Sequence, residues 1–246
     1  MSVGDASGRL VLVSGVSRGL GAAIAARLLR DGYRVVGLAR TRSPAVDGLI
    51  AEHGERFAFM GADLAETSAI PALVRDVSRA HGPLYGLVNN AAVGGDGLLA
   101  TMHATDIERV VRVNLLGAMT LAKYGCRSML KAREGRIVNV SSIIARTGFS
   151  GLSVYAATKA GLEGFSRSLA RELGKVGVTV NCVAPGYMET EMTAGLQGEK
   201  LESIRRRSPL GLAETADAAG AVAYLLGPDA KRVTGTVLTV DGGSSA

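Results

Sequence analysis

Tyr155 and Lys159 stand four residues apart within Val154–Leu173, a run whose apolar spacing predicts a helix. Residues four apart share one helix face, so phenol and amine meet. A free phenol has a pKa of about 10, and a neighbouring ammonium stabilises the phenolate and lowers that value. The pair suits proton donation to an oxygen that gains negative charge. Ser142 lies thirteen residues before the tyrosine and follows a predicted strand, Arg136–Val140. Open α/β sheets hold ligands beyond their strand ends, and a hydroxyl there can hydrogen-bond a developing oxyanion. Each residue alone has an ordinary reading: a packed tyrosine, a solvated lysine, a serine in a turn. Their joint placement is what points to chemistry.

A second constellation is Ser14-Gly15-Val16-Ser17-Arg18-Gly19-Leu20-Gly21, set between a predicted strand, Arg9–Ser14, and a predicted helix, Leu20–Leu29. The strict dinucleotide fingerprint is G-x-G-x-x-G, whereas these glycines are spaced G-x-x-x-G-x-G. The physics is the same. Gly15 permits a tight turn, Gly19 lets a phosphate approach the backbone, and Gly21 lets helix and strand pack closely. The helix N-terminus offers free N–H groups to a pyrophosphate. About 20 residues further on, an NAD site would want a carboxylate for the ribose 2′-hydroxyl. This chain has Arg40 there, with Arg42 near it and Arg18 inside the loop. Guanidinium groups suit a 2′-phosphate, so the expected cofactor is NADP(H). Asp63, with Leu64 beside it, follows the third strand and can accept from the adenine amino group.

The elements that must position these groups alternate along the chain. Predicted strands are Arg9–Ser14, Arg34–Ala39, Phe57–Met60, Leu84–Val88, Arg136–Val140, Val178–Val183 and Val237–Val240. Predicted helices are Leu20–Leu29, Ile70–Arg79, Asp106–Lys131 with a bend near Gly117, Val154–Leu173 and Ala216–Leu226. Short continuous apolar strands alternating with helices predict an α/β fold: a doubly wound, Rossmann-type parallel sheet of seven strands, in a single domain over 1–246. The polar stretch 189–212 contains no strand and is expected to be a substrate lid.

Composition agrees. A chain of 246 residues buries about 70% of its unfolded surface and needs no staple. Cys126 and Cys182 are too few for a disulfide scaffold, and His53, His81 and His103 lack metal-ligand spacing, so no metal is expected. The net charge of +6 is scattered, and only Arg205–Arg207 form a run, so nucleic acid is not the expected partner. No run approaches the roughly 18 apolar residues of a membrane span. The opening residues do not resemble a signal peptide, so the expected location is the cytoplasm.

Asn89–Ala92, Asn114, Ser142 and Tyr155–Lys159, with the glycine loop, resemble the short-chain dehydrogenase/reductase family along essentially the whole chain. Within it the chain is most similar to the 3-oxoacyl-[acyl-carrier-protein] reductases, through Gly135–Ser142, Ala160–Ala170, Thr179–Gly186 and Thr234–Gly243. The resemblance implies roles. Tyr155 matches the proton donor, Ser142 the residue that polarises the carbonyl, and Asn114 the member of a water-linked proton relay. Lys159 matches the lysine that holds the nicotinamide ribose. Asn90 and Ala91 match the sheet-bracing motif beside the cofactor. Pro185, Gly186, Met188 and Thr190 match the segment near the nicotinamide. Ser14 replaces the family's usual threonine, Ala92 its usual glycine, and Gly151–Val154 departs from the carrier-protein reductases where they approach substrate.

The resemblance implies NADPH-dependent reduction of a 3-oxoacyl thioester on acyl carrier protein, in a homotetramer of fatty-acid metabolism. Arg133 matches a basic residue used toward the acidic carrier; a second such position is Val176, with Lys175 beside it. Two alternatives stand: the same chemistry on acetoacetyl-CoA or another CoA thioester, a polyketide, a quinone or a small ketone, or a cofactor-binding subunit without catalysis.

Overall fold

The computed structural model describes residues 8–190, 193 and 198–246. The strands are β1 (Leu10–Ser14), β2 (Arg34–Ala39), β3 (Phe57–Gly61), β4 (Leu84–Asn89), β5 (Gly135–Val140), β6 (Val178–Pro185) and β7 (Val237–Val240). They form one parallel sheet in the order β3-β2-β1-β4-β5-β6-β7. The helices are α1 (Gly19–Arg30), α2 (Pro44–His53), α3 (Ile70–His81), α4 (Ala104–Val111), α5 (Ala118–Ala132), α6 (Ile144–Thr147), α7 (Ser153–Leu173), α8 (Glu199–Arg206) and α9 (Thr215–Leu226). The fold is the seven-stranded α/β Rossmann type read from the sequence.

Strand alternation builds a core on each face of the sheet. Val11 and Val13 of β1 pack with Ile24 and Leu28 of α1 and Val222 and Leu226 of α9. Leu10 and Leu12 turn the other way, toward Val74 and Val77 of α3, Leu121 and Met129 of α5, and Leu173 of α7. Each such buried aliphatic side chain contributes about 1.5–3 kcal/mol against leaving it exposed. Burial on both faces is why these strands read as unbroken apolar runs.

The strand order reverses between β1 and β4, and a crevice opens at the carboxyl ends of strands at such a switch point. Two features differ from expectation. The Asp106–Lys131 pattern is broken by a π-helical segment, Arg112–Gly117, which carries Asn114. Single π turns recur at functional sites. Here the room for the bend is set by Gly117, where a Cβ would come within 2.7 Å of the Leu64 carbonyl oxygen. The segment 189–212, expected as a lid, contains α8; residues 191–192 and 194–197 lie outside those described, as do 1–7. The arginine run caps α8, with Arg205 donating to Glu189 (2.8 Å) and Glu202 (3.0 Å). Among the described residues no helix is long and apolar enough to cross a membrane.

Candidate active site

The glycine loop is locked to β4 by short polar side chains. Ser14 Oγ donates to the Val88 carbonyl (3.3 Å) and accepts from the Asn90 and Ala91 amides (both 3.1 Å). Asn90 Nδ2 donates to the carbonyls of Ser14 (2.9 Å) and Gly15 (3.3 Å). This packing leaves no room for side chains. A Cβ on Gly21 would lie 2.0 Å from the Gly15 oxygen, and one on Gly15, at φ 80°, would lie 2.8 Å from Asn90 Nδ2. The turn therefore runs close against β4, and α1 begins directly beside it, with Leu20 buried in the core.

The N-cap residue, Arg18, does not cap α1 with its side chain, and the first turn holds no acid. Uncapped N–H groups at a helix start favour an anion. Ser17 braces the loop from below by accepting from Ser43 Oγ (2.6 Å), the N-cap of α2. Arg42 is paired with Asp47. Arg40 and Arg18 are exposed at the loop's rim. Asp63 is exposed and accepts from the Ala65 amide (2.9 Å), while Leu64 is buried. A glycine turn with no room for a Cβ at positions 15 and 21, a helix start that its N-cap side chain leaves open, and rim arginines fit a dinucleotide bearing an extra phosphate.

The sequence-predicted catalytic residues converge beyond β5. Asn114, Ser142 and Lys159 are buried and Tyr155 is half-buried. Ser142 Oγ accepts from the Ile144 amide (3.3 Å) and lies near enough to the Tyr155 phenol to act on its titration. Asn114 makes a reciprocal pair with Val93: Oδ1 accepts from its amide (2.8 Å) and Nδ2 donates to its carbonyl (2.9 Å). Nδ2 also reaches Thr158 Oγ1 at 3.4 Å. The amide is thus consumed in fixing the loop after β4 to the π turn and α7.

Lys159 Nζ donates to the Val140 carbonyl (2.7 Å) and lies 5.4 Å from the Tyr155 ring centroid. Its pKa is pulled down to about 8, first by burial. Tyr155 is pushed up to about 12: burial raises it, the Ser142 hydroxyl opposes, and the Asp96 carboxylate adds to the rise. The ammonium was expected to lower the phenol. In this structure burial governs, because the ammonium is directed at a backbone carbonyl. A phenol held protonated at neutral pH is a proton donor, with its hydroxyl against the serine that would share the same acceptor oxygen.

The floor of the site is β6 and its exit. Ile143 donates its amide to the Pro185 carbonyl (3.1 Å), and Gly186 donates to Val240 (2.8 Å). A Cβ on Gly186 would meet Asp241 at 2.7 Å. Met188 packs on the core beneath α1. Thr190 lies over the glycine loop, with its methyl 3.8 Å from where a Cβ on Gly19 would stand. Thr193, which the sequence reading passed over, organises this turn by donating to the Met188 carbonyl (2.6 Å) and accepting from the Thr190 amide (3.0 Å). Asp96 and Ser141 were also passed over; the adjoining serine pair was the available signal for Ser141.

Arg133 and Lys175 lie on the turns that lead into the paired strands β5 and β6, away from the catalytic group. Arg133 ends α5 in the left-handed region, at φ 55°, and a Cβ on Gly177 would lie 2.5 Å from its carbonyl oxygen. Both residues precede their strands, so β5 separates them from Ser142 by about 20 Å at roughly 3.3 Å per residue.

Residues 15–245 match the family model described as enoyl-(acyl carrier protein) reductase. The chain is 38% identical over 239 residues to the 3-oxoacyl-[acyl-carrier-protein] reductase of Vibrio cholerae, covering 96% of this chain and 97% of that one. It is 39% identical over 243 residues to nodulation protein G of a Rhizobium species, covering 97% and 98%. The crystal structure of a dehydrogenase/reductase from Sinorhizobium meliloti superposes with a TM-score of 0.89 at 35% identity, over 98% of this chain and 96% of that one. Fold, motif order and whole-length similarity agree: the chain belongs to the short-chain dehydrogenase/reductase family and is an NADP-dependent oxidoreductase acting on a carbonyl substrate.

Proposed function

We propose that the protein reduces a 3-oxoacyl thioester carried on acyl carrier protein to the 3-hydroxyacyl thioester, using NADPH. The observation that carries the chemistry is the convergence of Ser142, Tyr155 and the buried Lys159 beyond the carboxyl end of β5, with Lys159 Nζ 5.4 Å from the Tyr155 ring centroid. Bound NADPH supplies a hydride to the carbonyl carbon. Ser142 Oγ–H donates a hydrogen bond to the carbonyl oxygen, and Tyr155 gives that oxygen its proton, so carbonyl, hydride and proton sum to the alcohol. Lys159, lowered toward neutrality, would hold the nicotinamide ribose and is the buried ammonium beside the phenol that can return its proton. Asn114 keeps the π turn and the loop after β4 in place for the proton's path from solvent.

The thioester part of the reading is supported by relatives named as 3-oxoacyl-[acyl-carrier-protein] reductases, in Vibrio cholerae and Haemophilus influenzae, at 38% and 39% identity. The +6 charge suits an acidic carrier. Arg133 and Lys175 sit at the amino ends of β5 and β6, away from their own chain's site, so in a homotetramer they would serve a carrier docked on a neighbouring copy. The test is NADPH and NADH consumption with acetoacetyl groups on acyl carrier protein and on CoA, beside a panel of small ketones and quinones. The expected result is preference for NADPH and the carrier-bound thioester. Turnover of small ketones alone would overturn the thioester reading and leave Arg133 as surface charge.

A further inference from the structure

The stripe of α7 that carries Tyr155 and Lys159 continues one turn further to Glu163, an acid that solvent hardly reaches, its side chain only 6% exposed. A carboxylate is seldom placed so deep without a task for its lone pairs. One oxygen, Oε1, accepts from Ser141 Oγ at 3.0 Å. The other, Oε2, lies 3.6 Å from Arg146 Nε and 3.8 Å from an Arg167 guanidinium nitrogen. Ser141 precedes the serine that faces the phenol, and Arg146 belongs to α6, the short helix that follows it. The two oxygens thus hold the chain on both sides of Ser142.

The two links are unequal. Ser141 is buried, its amide is fixed to the Val183 carbonyl (2.7 Å), and its hydroxyl also reaches the Lys159 carbonyl at 3.3 Å. Arg146 and Arg167 are each 56% exposed, where ion pairs contribute little. A hydrogen bond from a buried hydroxyl to a carboxylate is stronger and more directional.

Resting on the catalytic reading above, we propose that Glu163 is a positioning residue: through the Ser141 hydroxyl it sets the Ser142 side chain against Tyr155. Glutamine keeps an acceptor oxygen for Ser141 and gives up the arginine pairs, whereas leucine keeps the volume and gives up both. The test is the single-turnover rate of NADPH oxidation with whichever carbonyl the wild type reduces, together with both KM values. Glu163→Leu is expected to lose about tenfold in rate with KM values changed less than about twofold, since misplacement weakens a contact made in the transition state. Glu163→Gln is expected to keep about half the rate or more. Ser141→Ala should reproduce the loss, and adding it to Glu163→Leu should cost nothing further. If Glu163→Leu does not fold, Ser141→Ala decides alone. Wild-type rate in Ser141→Ala overturns the proposal, as does a glutamine variant as slow as the leucine one, or a loss that falls on KM. Full turnover in Tyr155→Phe would overturn the reading of the site itself, and this proposal with it.

Discussion

The carboxyl ends of β1 and β5 lie two strands apart in one sheet and are built on opposite terms. At β1 the site is made of absences. Gly15 and Gly21 leave out atoms that would strike the backbone, and Ser14 and Asn90 fill what remains with short hydrogen bonds. At β5 the site is made of side chains under strain of burial: an amine pulled down to about 8 and a phenol pushed up to about 12, with an acid one turn below. The first region works by shape and the second by charge. A substitution that adds a methyl should therefore damage the first through folding, and one that removes a single polar atom should damage the second through rate.

The largest effect is expected at β5. Tyr155→Phe removes one oxygen from a half-buried ring and leaves its packing intact. With no proton donor, turnover should fall by about a thousandfold or more, within the range lost with a general acid. NADPH affinity, read by fluorescence titration, should change less than about threefold. A drop in affinity matching the drop in rate would erase the contrast between the two regions.

At β1 the expected effect is one of stability. Alanine in place of Gly21 gains about 1 kcal/mol of helix propensity, but its Cβ would meet backbone at 2.0 Å, and backbone does not yield as a side-chain tip does. Overpacking of this kind costs about 1–3 kcal/mol, so the steric term should win. Thermal unfolding should show a Tm lower by a few degrees and weakened NADPH binding. Gly48→Ala in α2, where nothing lies within 4 Å, should move Tm the other way by its propensity alone. Equal shifts at the two glycines would show that the loop has slack.

How much of this could be read in the chain follows the same division. All seven strands, the glycine loop and the tyrosine helix were legible, because buried parallel strands and glycine turns leave strong local patterns. α2 was not read, although Ser43-Pro44 is a helix start, because Gly48 interrupts a short amphipathic run. The bend near Gly117 was legible as an interruption, but a π turn is set by what packs against it, here Leu64. Glu163 carries no local signal of its own, since its burial depends on Ser141 arriving from elsewhere in the chain. Arg133 and Lys175 were placed together by motif, and only the fold shows which end of the sheet they occupy.

The smallest effect belongs to Arg40, where the shape-built region makes its one use of charge. It is exposed at the end of β2, beside an Arg42 already paired with Asp47, so its attraction for a 2′-phosphate acts partly through water. Arg40→Asp removes the attraction and adds the hydrogen-bond acceptor that an NAD ribose needs. The NADPH kcat/KM should fall about tenfold, the NADH value should rise, and kcat with saturating cofactor should stay near wild type. Raising ionic strength should shrink the wild-type preference and leave the variant almost unmoved. An unchanged NADPH:NADH ratio would move the phosphate contact to Arg18, inside the loop itself, and make the glycine turn a place of charge as well as shape.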